Sequence, residues 1–175
     1  MPTLRLHLVR HPPPDIAPGL CYGRLDVPVS PAALDQAVVA LAPGLPAGLP
    51  LWSSPLSRCL QLASRLHPAP QVDARLQEMD FGRWEGLAWD AVPRPELDAW
   101  AADVAHYAPP GGESPAAMQA RLDDFLASLA VPEAILVTHG GVIRLLQALA
   151  AGQPERAWRD PAPPFASHTR LELRR

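Results

Sequence analysis

The stretch "EAILVTHGGVIRLLQALAA", residues 133–151, carries the signature of the fold. Its first half is a near-continuous apolar run, as expected of a central strand covered on both faces. The run ends in Thr138-His139 and crosses the pair Gly140-Gly141. It then continues as a helix over Val142 to Ala151, apolar almost all round and therefore buried. A covered strand that passes directly into a covered helix belongs to a layered α/β sheet.

The rest of the chain supplies partners for this unit. "TLRLHLV" alternates and predicts a first strand, Thr3 to Val9, with Leu4, Leu6 and Leu8 on one face. Shorter strands are predicted at Pro50 to Ser53 and Gln71 to Ala74, and "HTRLELR" predicts an edge strand over 168–174. Three helices share one start signal, Ser30-Pro31, Ser54-Pro55 and Ser114-Pro115. In each, serine is placed to cap and proline to occupy the first turn, where its missing amide costs nothing. After the last, Met118, Leu122, Phe125, Leu126 and Leu129 form an apolar stripe. The expectation is a three-layer α/β/α sandwich with a largely parallel sheet of about five strands. Residues 1–175 read as a single domain, with 79–113, rich in tryptophan, as an insertion over one end of the sheet and over the active site.

The 175 residues suffice for one sizeable core. A net charge of -3 and a pI near 6.0 argue against nucleic acid as the partner. The chain contains no lysine, which excludes a Schiff base and a P-loop lysine. Cys21 and Cys59 form neither a CxxC motif nor a disulfide framework. No signal peptide or apolar run long enough to span a membrane is evident, so the expected location is the cytoplasm, with no membrane partner. The sequence sets no oligomeric state.

Ligands of a parallel α/β sheet gather beyond the carboxyl ends of its strands. Arg10-His11 ends the first strand, Arg58 opens the helix after the second, Glu78 follows the third, and His139-Gly140-Gly141 follows the fourth. Arg10 and Arg58 offer forked donors suited to phosphoryl oxygens. A helix beginning at Gly140 presents free amides to an anion. His11, His139 and Glu78 remain for nucleophilic and acid–base work. Asp80 and Glu85 lie close enough in sequence to compete with Glu78 as the acid. His11 and His139 could instead ligate a metal, but no third ligand stands at a recognisable spacing and two arginines would repel a cation.

"LVRH", "SSPLSRC", "LQEMDFGRWEG" and "VTHGGVIR", in this order, resemble the successive motifs of the histidine phosphatase superfamily, the phosphoglycerate mutase-like fold. The resemblance covers nearly the whole chain. It implies that His11 is the phosphorylated nucleophile, that Arg10, Arg58 and His139 complete the phosphate pocket with Gly140, and that Glu78 is the proton donor. It also implies no metal and no organic cofactor. One segment departs from the family: "RHPPPD" places Pro12 where glycine is usual, with no following Asn, and proline cannot donate a backbone N–H. A short branch that includes α-ribazole phosphatases is similar here, with a proline-rich loop followed by "CYG" and Asp. In that branch the prolines stiffen the loop and the CYG segment walls the pocket, with Gly23 and Arg24 as candidate substrate contacts.

The implied function is a phosphomonoesterase acting on a small phosphorylated metabolite, with α-ribazole 5′-phosphate as the nearest substrate by resemblance. A phosphohistidine-protein phosphatase, a phosphoglycerate-type mutase and a non-catalytic phosphate-binding module are the alternatives.

Overall fold

A computed structural model describes residues 3–174, the side chain of residue 155 excepted. Five strands, β1 (Thr3–Arg10), β2 (Leu51–Ser53), β3 (Gln71–Val72), β4 (Glu133–Thr138) and β5 (His168–Arg174), form one sheet in the order β3-β2-β4-β1-β5. All neighbours run parallel except β5, which lies antiparallel on β1. Five helices accompany it: α1 (Pro31–Leu41), α2 (Ser57–Leu66), α3 (Arg94–Ala102), α4 (Pro115–Ser128) and α5 (Gly140–Ala150).

Strand alternation sorts the side chains into two cores. Leu4, Leu6 and Leu8 of β1 join Ala134 and Leu136 of β4 beneath α4 and α5, against Met118, Leu122, Phe125, Leu145 and Leu146. On the opposite face Val9, Leu51, Ile135 and Val137 pack against Ala37 and Leu41 of α1 and Cys59, Leu62 and Ala63 of α2. Both faces of β4 are therefore covered, as its unbroken apolar run requires.

The serine-proline signals hold at two of three places. Ser30 Oγ accepts from the Ala33 amide and Ser114 Oγ from the Ala117 amide. At the third, α2 begins at Ser57, three residues beyond Ser54. The Ser54 hydroxyl lies 2.8 Å from His139 Nε2, and it is Asp26 that accepts the Ser57 amide, at 2.8 Å. The Ser54 hydroxyl still accepts from the Leu56 amide at 3.3 Å, but it sits ahead of the helix, whose first amide is met from a distant loop. Helix α5 starts at Gly140, two residues before the predicted Val142. Strand β3 stops at Val72 because Asp73 turns the chain, accepting from the Arg75 amide.

Residues 79–113 hold α3, which the sequence did not announce, and short 3-10 turns. Their side chains make a small core of their own: Trp84 and Val92 pack with Cys21, ringed by Phe81, Trp89, Leu97, Trp100 and Tyr107.

Candidate active site

The register of the sheet brings the two histidines together. Arg10 pairs with Thr138 at the ends of β1 and β4, so the next residues, His11 and His139, emerge side by side. The His11 amide donates to the Thr138 carbonyl at 3.2 Å, and the Ser54 amide, just past β2, donates to Val137. The imidazole rings lie 5.2 Å apart, centre to centre, edge to face.

Above them opens a cleft of about 210 Å³ lined by Arg10, His11, Arg58, Glu78 and Gly140 together with Tyr22, Phe81, Trp89 and Arg144. His139 lies beneath His11, fully buried. His11 Nδ1 donates to the Pro12 carbonyl at 2.7 Å, which fixes the tautomer and leaves Nε2 as the lone-pair nitrogen. Proline at position 12 therefore forfeits an amide but keeps the acceptor that orients the ring. Burial, then the Arg58 cation, lower the His11 pKa to about 3, outweighing the opposing Pro12 hydrogen bond. The ring is neutral at physiological pH, as a nucleophile must be. Burial, followed by His11 and the neighbouring arginines, holds His139 well below the usual histidine range.

Among the described residues, the arginines of the cleft have no carboxylate within ion-pair distance. Arg58, fully buried, donates from Nη1 to the Leu25 carbonyl at 2.9 Å and from Nη2 to the Gly23 carbonyl. Arg10 donates to the Pro163 carbonyl and lies 3.8 Å above the Phe165 ring. Arg144 reaches the Asp160 carbonyl at 3.3 Å. Each keeps a buried Nε with no hydrogen-bond partner among the described residues. A desolvated guanidinium that meets only carbonyls leaves an electrostatic deficit that an anion can fill.

Three carboxylates competed for the acid role, and the geometry separates them. Glu85 is occupied by the amides of Arg24, Leu25 and Phe81. Asp80 accepts from the Gly82 amide and faces Arg24 at 3.7 Å. Glu78 alone of the three lines the cleft, with Oε2 accepting from the Gly141 amide at 2.9 Å. Its backbone is held from behind, because Arg121 Nη2 donates to the Glu78 carbonyl and Thr138 Oγ1 to the Leu76 carbonyl. The two glycines are explained by these neighbours. A Cβ at Gly141 would sit 2.3 Å from Glu78 Oε1, and one at Gly140 would sit 3.1 Å from the Arg10 guanidinium.

Gly23 and Arg24 depart from their predicted role as substrate contacts. Gly23 turns its carbonyl to Arg58, and Arg24 pairs with Glu113 at 3.3 Å; neither lines the cleft. Their neighbour Tyr22 does. Arg144 was missed, although it follows Gly140 by four residues and so shares its helix face. Phe165 and Ala162 come from an irregular segment with no periodic signal to read. His168, at the start of β5, lies with Nε2 2.9 Å from His7 Nδ1 and does not line the cleft.

Residues 6–175 match the histidine phosphatase superfamily, branch 1. The chain belongs to that superfamily, a class of phosphatases that act through a histidine nucleophile. A glucosyl-3-phosphoglycerate phosphatase of Mycobacterium tuberculosis is 33% identical over 180 residues, covering 90% of this chain and 80% of the relative. Among solved structures, a phosphoglycerate mutase from Thermus thermophilus is similar at a TM-score of 0.78 and 33% identity, covering 95% of this chain and 92% of the other. A candidate alpha-ribazole-5'-P phosphatase from Escherichia coli gives a TM-score of 0.83 at 26% identity, covering 98% and 91%.

Proposed function

We propose that the chain is a metal-independent phosphomonoesterase for a small phosphorylated metabolite, with His11 Nε2 as the attacking atom. The observation that carries this reading is the neutral His11, its tautomer fixed by Pro12, at the floor of a cleft whose arginines lack carboxylate partners among the described residues. Nε2 attacks phosphorus as the ester oxygen departs, forming a P–N bond and breaking the P–O bond. Arg10, Arg58, His139 and the Gly140 amide hold the phosphoryl oxygens. Glu78 delivers its proton to the leaving alkoxide. It then takes one from the water that attacks the phosphohistidine, returning free His11 and inorganic phosphate. The arginines stabilise charge at the transferring group in both steps.

Two features of the cleft bear on the substrate. Tyr22, Phe81 and Trp89 offer flat faces to an aromatic aglycone, which supports α-ribazole 5′-phosphate. Arg144, a cation beyond those at Arg10 and Arg58, favours a second reading, an ester bearing another anionic group such as a phosphoglycerate derivative. Comparing kcat/KM for α-ribazole 5′-phosphate, 3-phosphoglycerate and glycerol 3-phosphate separates the two.

The mechanism is tested by hydrolysis of an aryl phosphate in excess chelator by wild type and His11→Ala. Turnover that survives the chelator and falls at least about 10³-fold in the variant is the expected result. Turnover that requires metal, or that persists without His11, overturns it.

A further inference from the structure

Arg58 poses a problem of charge. It is fully buried, lacks a carboxylate within ion-pair distance among the described residues, and yet must stay cationic to grip a phosphoryl group. A buried guanidinium solvated by carbonyls alone is costly. The carbonyls it uses belong to a loop, residues 23–25, and what holds that loop is Glu85.

The connection runs through a single peptide group. Arg58 Nη2 donates to the Gly23 carbonyl, while the amide at the other end of the same peptide unit, Arg24 N–H, donates to Glu85 Oε1 at 2.9 Å. Carboxylate and guanidinium thus bracket one peptide dipole, aligned with its negative end on the cation and its positive end on the anion. Hydrogen bonds in such a chain polarise one another. The next amide, Leu25 N–H, donates to Glu85 Oε2, and the Leu25 carbonyl takes the second Arg58 bond, at 2.9 Å. Close packing enforces the arrangement. A Cβ on Gly23 would fall 1.8 Å from the Met79 carbonyl oxygen and 3.1 Å from Glu85 Oε1, so only glycine lets this peptide approach. Glu85 also accepts from the Phe81 amide at 3.0 Å, tying the aromatic wall of the cleft to the same carboxylate.

We propose that Glu85 is the counter-ion of Arg58, acting through the Gly23–Arg24 peptide, and that it is a positioning residue for phosphate binding. It does not touch the reacting atoms. Its charge keeps the Gly23 and Leu25 carbonyls turned onto the guanidinium and so sets how firmly Arg58 presents its remaining donors. The proposal rests on the reading of Arg58 as a phosphate ligand.

A double-mutant cycle separates this role from that of a mere loop clip. The probe is inorganic phosphate, its affinity measured by calorimetry on wild type, Glu85→Gln, Arg58→Gln and the double variant. Glutamine keeps an acceptor for the Arg24 and Phe81 amides, but it removes the charge and, with its NH2 in place of Oε2, the hydrogen bond from the Leu25 amide. The expected result is phosphate binding about tenfold weaker in Glu85→Gln, and no further weakening when Glu85→Gln is added to Arg58→Gln. Equal loss from Glu85→Gln in both backgrounds, or no loss in either, overturns the proposal while leaving Arg58 as a ligand. Wild-type affinity in Arg58→Gln would instead overturn the phosphate-ligand reading beneath it. Arg58→Met completes the same cycle if the glutamine variant does not fold.

Discussion

Arg58 and Arg121 stand on opposite sides of Glu78 and are treated in opposite ways. Arg121 donates from Nε and Nη2 to both oxygens of Glu113, at 3.1 and 2.6 Å, and spends its other donors on the carbonyls of Arg75 and Glu78. Arg58, more deeply buried, meets carbonyls through two of its five N–H donors and keeps its Nε without a hydrogen-bond partner among the described residues. The first is a finished structural joint. The second carries unspent charge, and the proposed phosphate site is built on that difference.

The largest effect falls on the residue between them. Glu78→Gln should slow alkyl phosphate hydrolysis by about 10²–10⁴ while leaving an activated aryl ester much less affected, because only a poor leaving group needs the proton. Equal losses on both esters would remove Glu78 from the acid role. Gly141→Ala should mimic this variant in steady-state kinetics, since the new Cβ displaces the Glu78 carboxyl.

Next comes the contrast itself. Arg58→Met should lose about 10²–10³ in kcat/KM at a smaller cost in stability than the Arg121 change, because Arg58 meets its proposed counter-ion only through a peptide group and, among the described residues, holds no carboxylate directly. Arg121→Met should do the reverse, losing about 2–3 kcal/mol in denaturant unfolding as Glu113 is left without its partner. If Arg58→Met is the less stable of the two, the contrast between spent and unspent charge fails.

The smallest effect is a slope with pH. The folded-state pKa of His11, near 3, lies below the unfolded value near 6.5. The unfolded chain therefore binds the proton first. Stability is fully present above about pH 6.5 and is lost as pH falls toward 3, by up to about 1.4 kcal/mol per pH unit for each such group. His139 shifts in the same direction and adds to the slope. Melting temperatures taken from neutral to mildly acid pH should fall less steeply in His11→Gln. The Arg58→Met variant should also flatten the slope, since that cation helps depress His11.

Much of this is legible in the chain without its fold. The apolar run of β4, the alternation of β1 and the capping serines at 30 and 114 are local signals, and the local structure obeyed them. Arg10, His11, Arg58, Glu78 and Gly140 lie at strand ends or just beyond, so a parallel sheet had to gather them at one edge. Helix α3 was not legible: it has no capping side chain and buries none of its residues. Ser54 was read as a cap because its neighbours in sequence say so, and only the approach of β4 to β2 reveals the imidazole that claims it.

Periodicity, turn chemistry and motif order were enough for the class of fold, the family and much of the cleft lining. Folding had to choose which of Glu78, Asp80 and Glu85 faces the cleft, turn Gly23 and Arg24 to the service of Arg58, and bring Arg144 into the lining. The reason is physical. Hydrogen-bond donors are assigned by competition among groups up to 161 residues apart, and no local pattern records which partner wins.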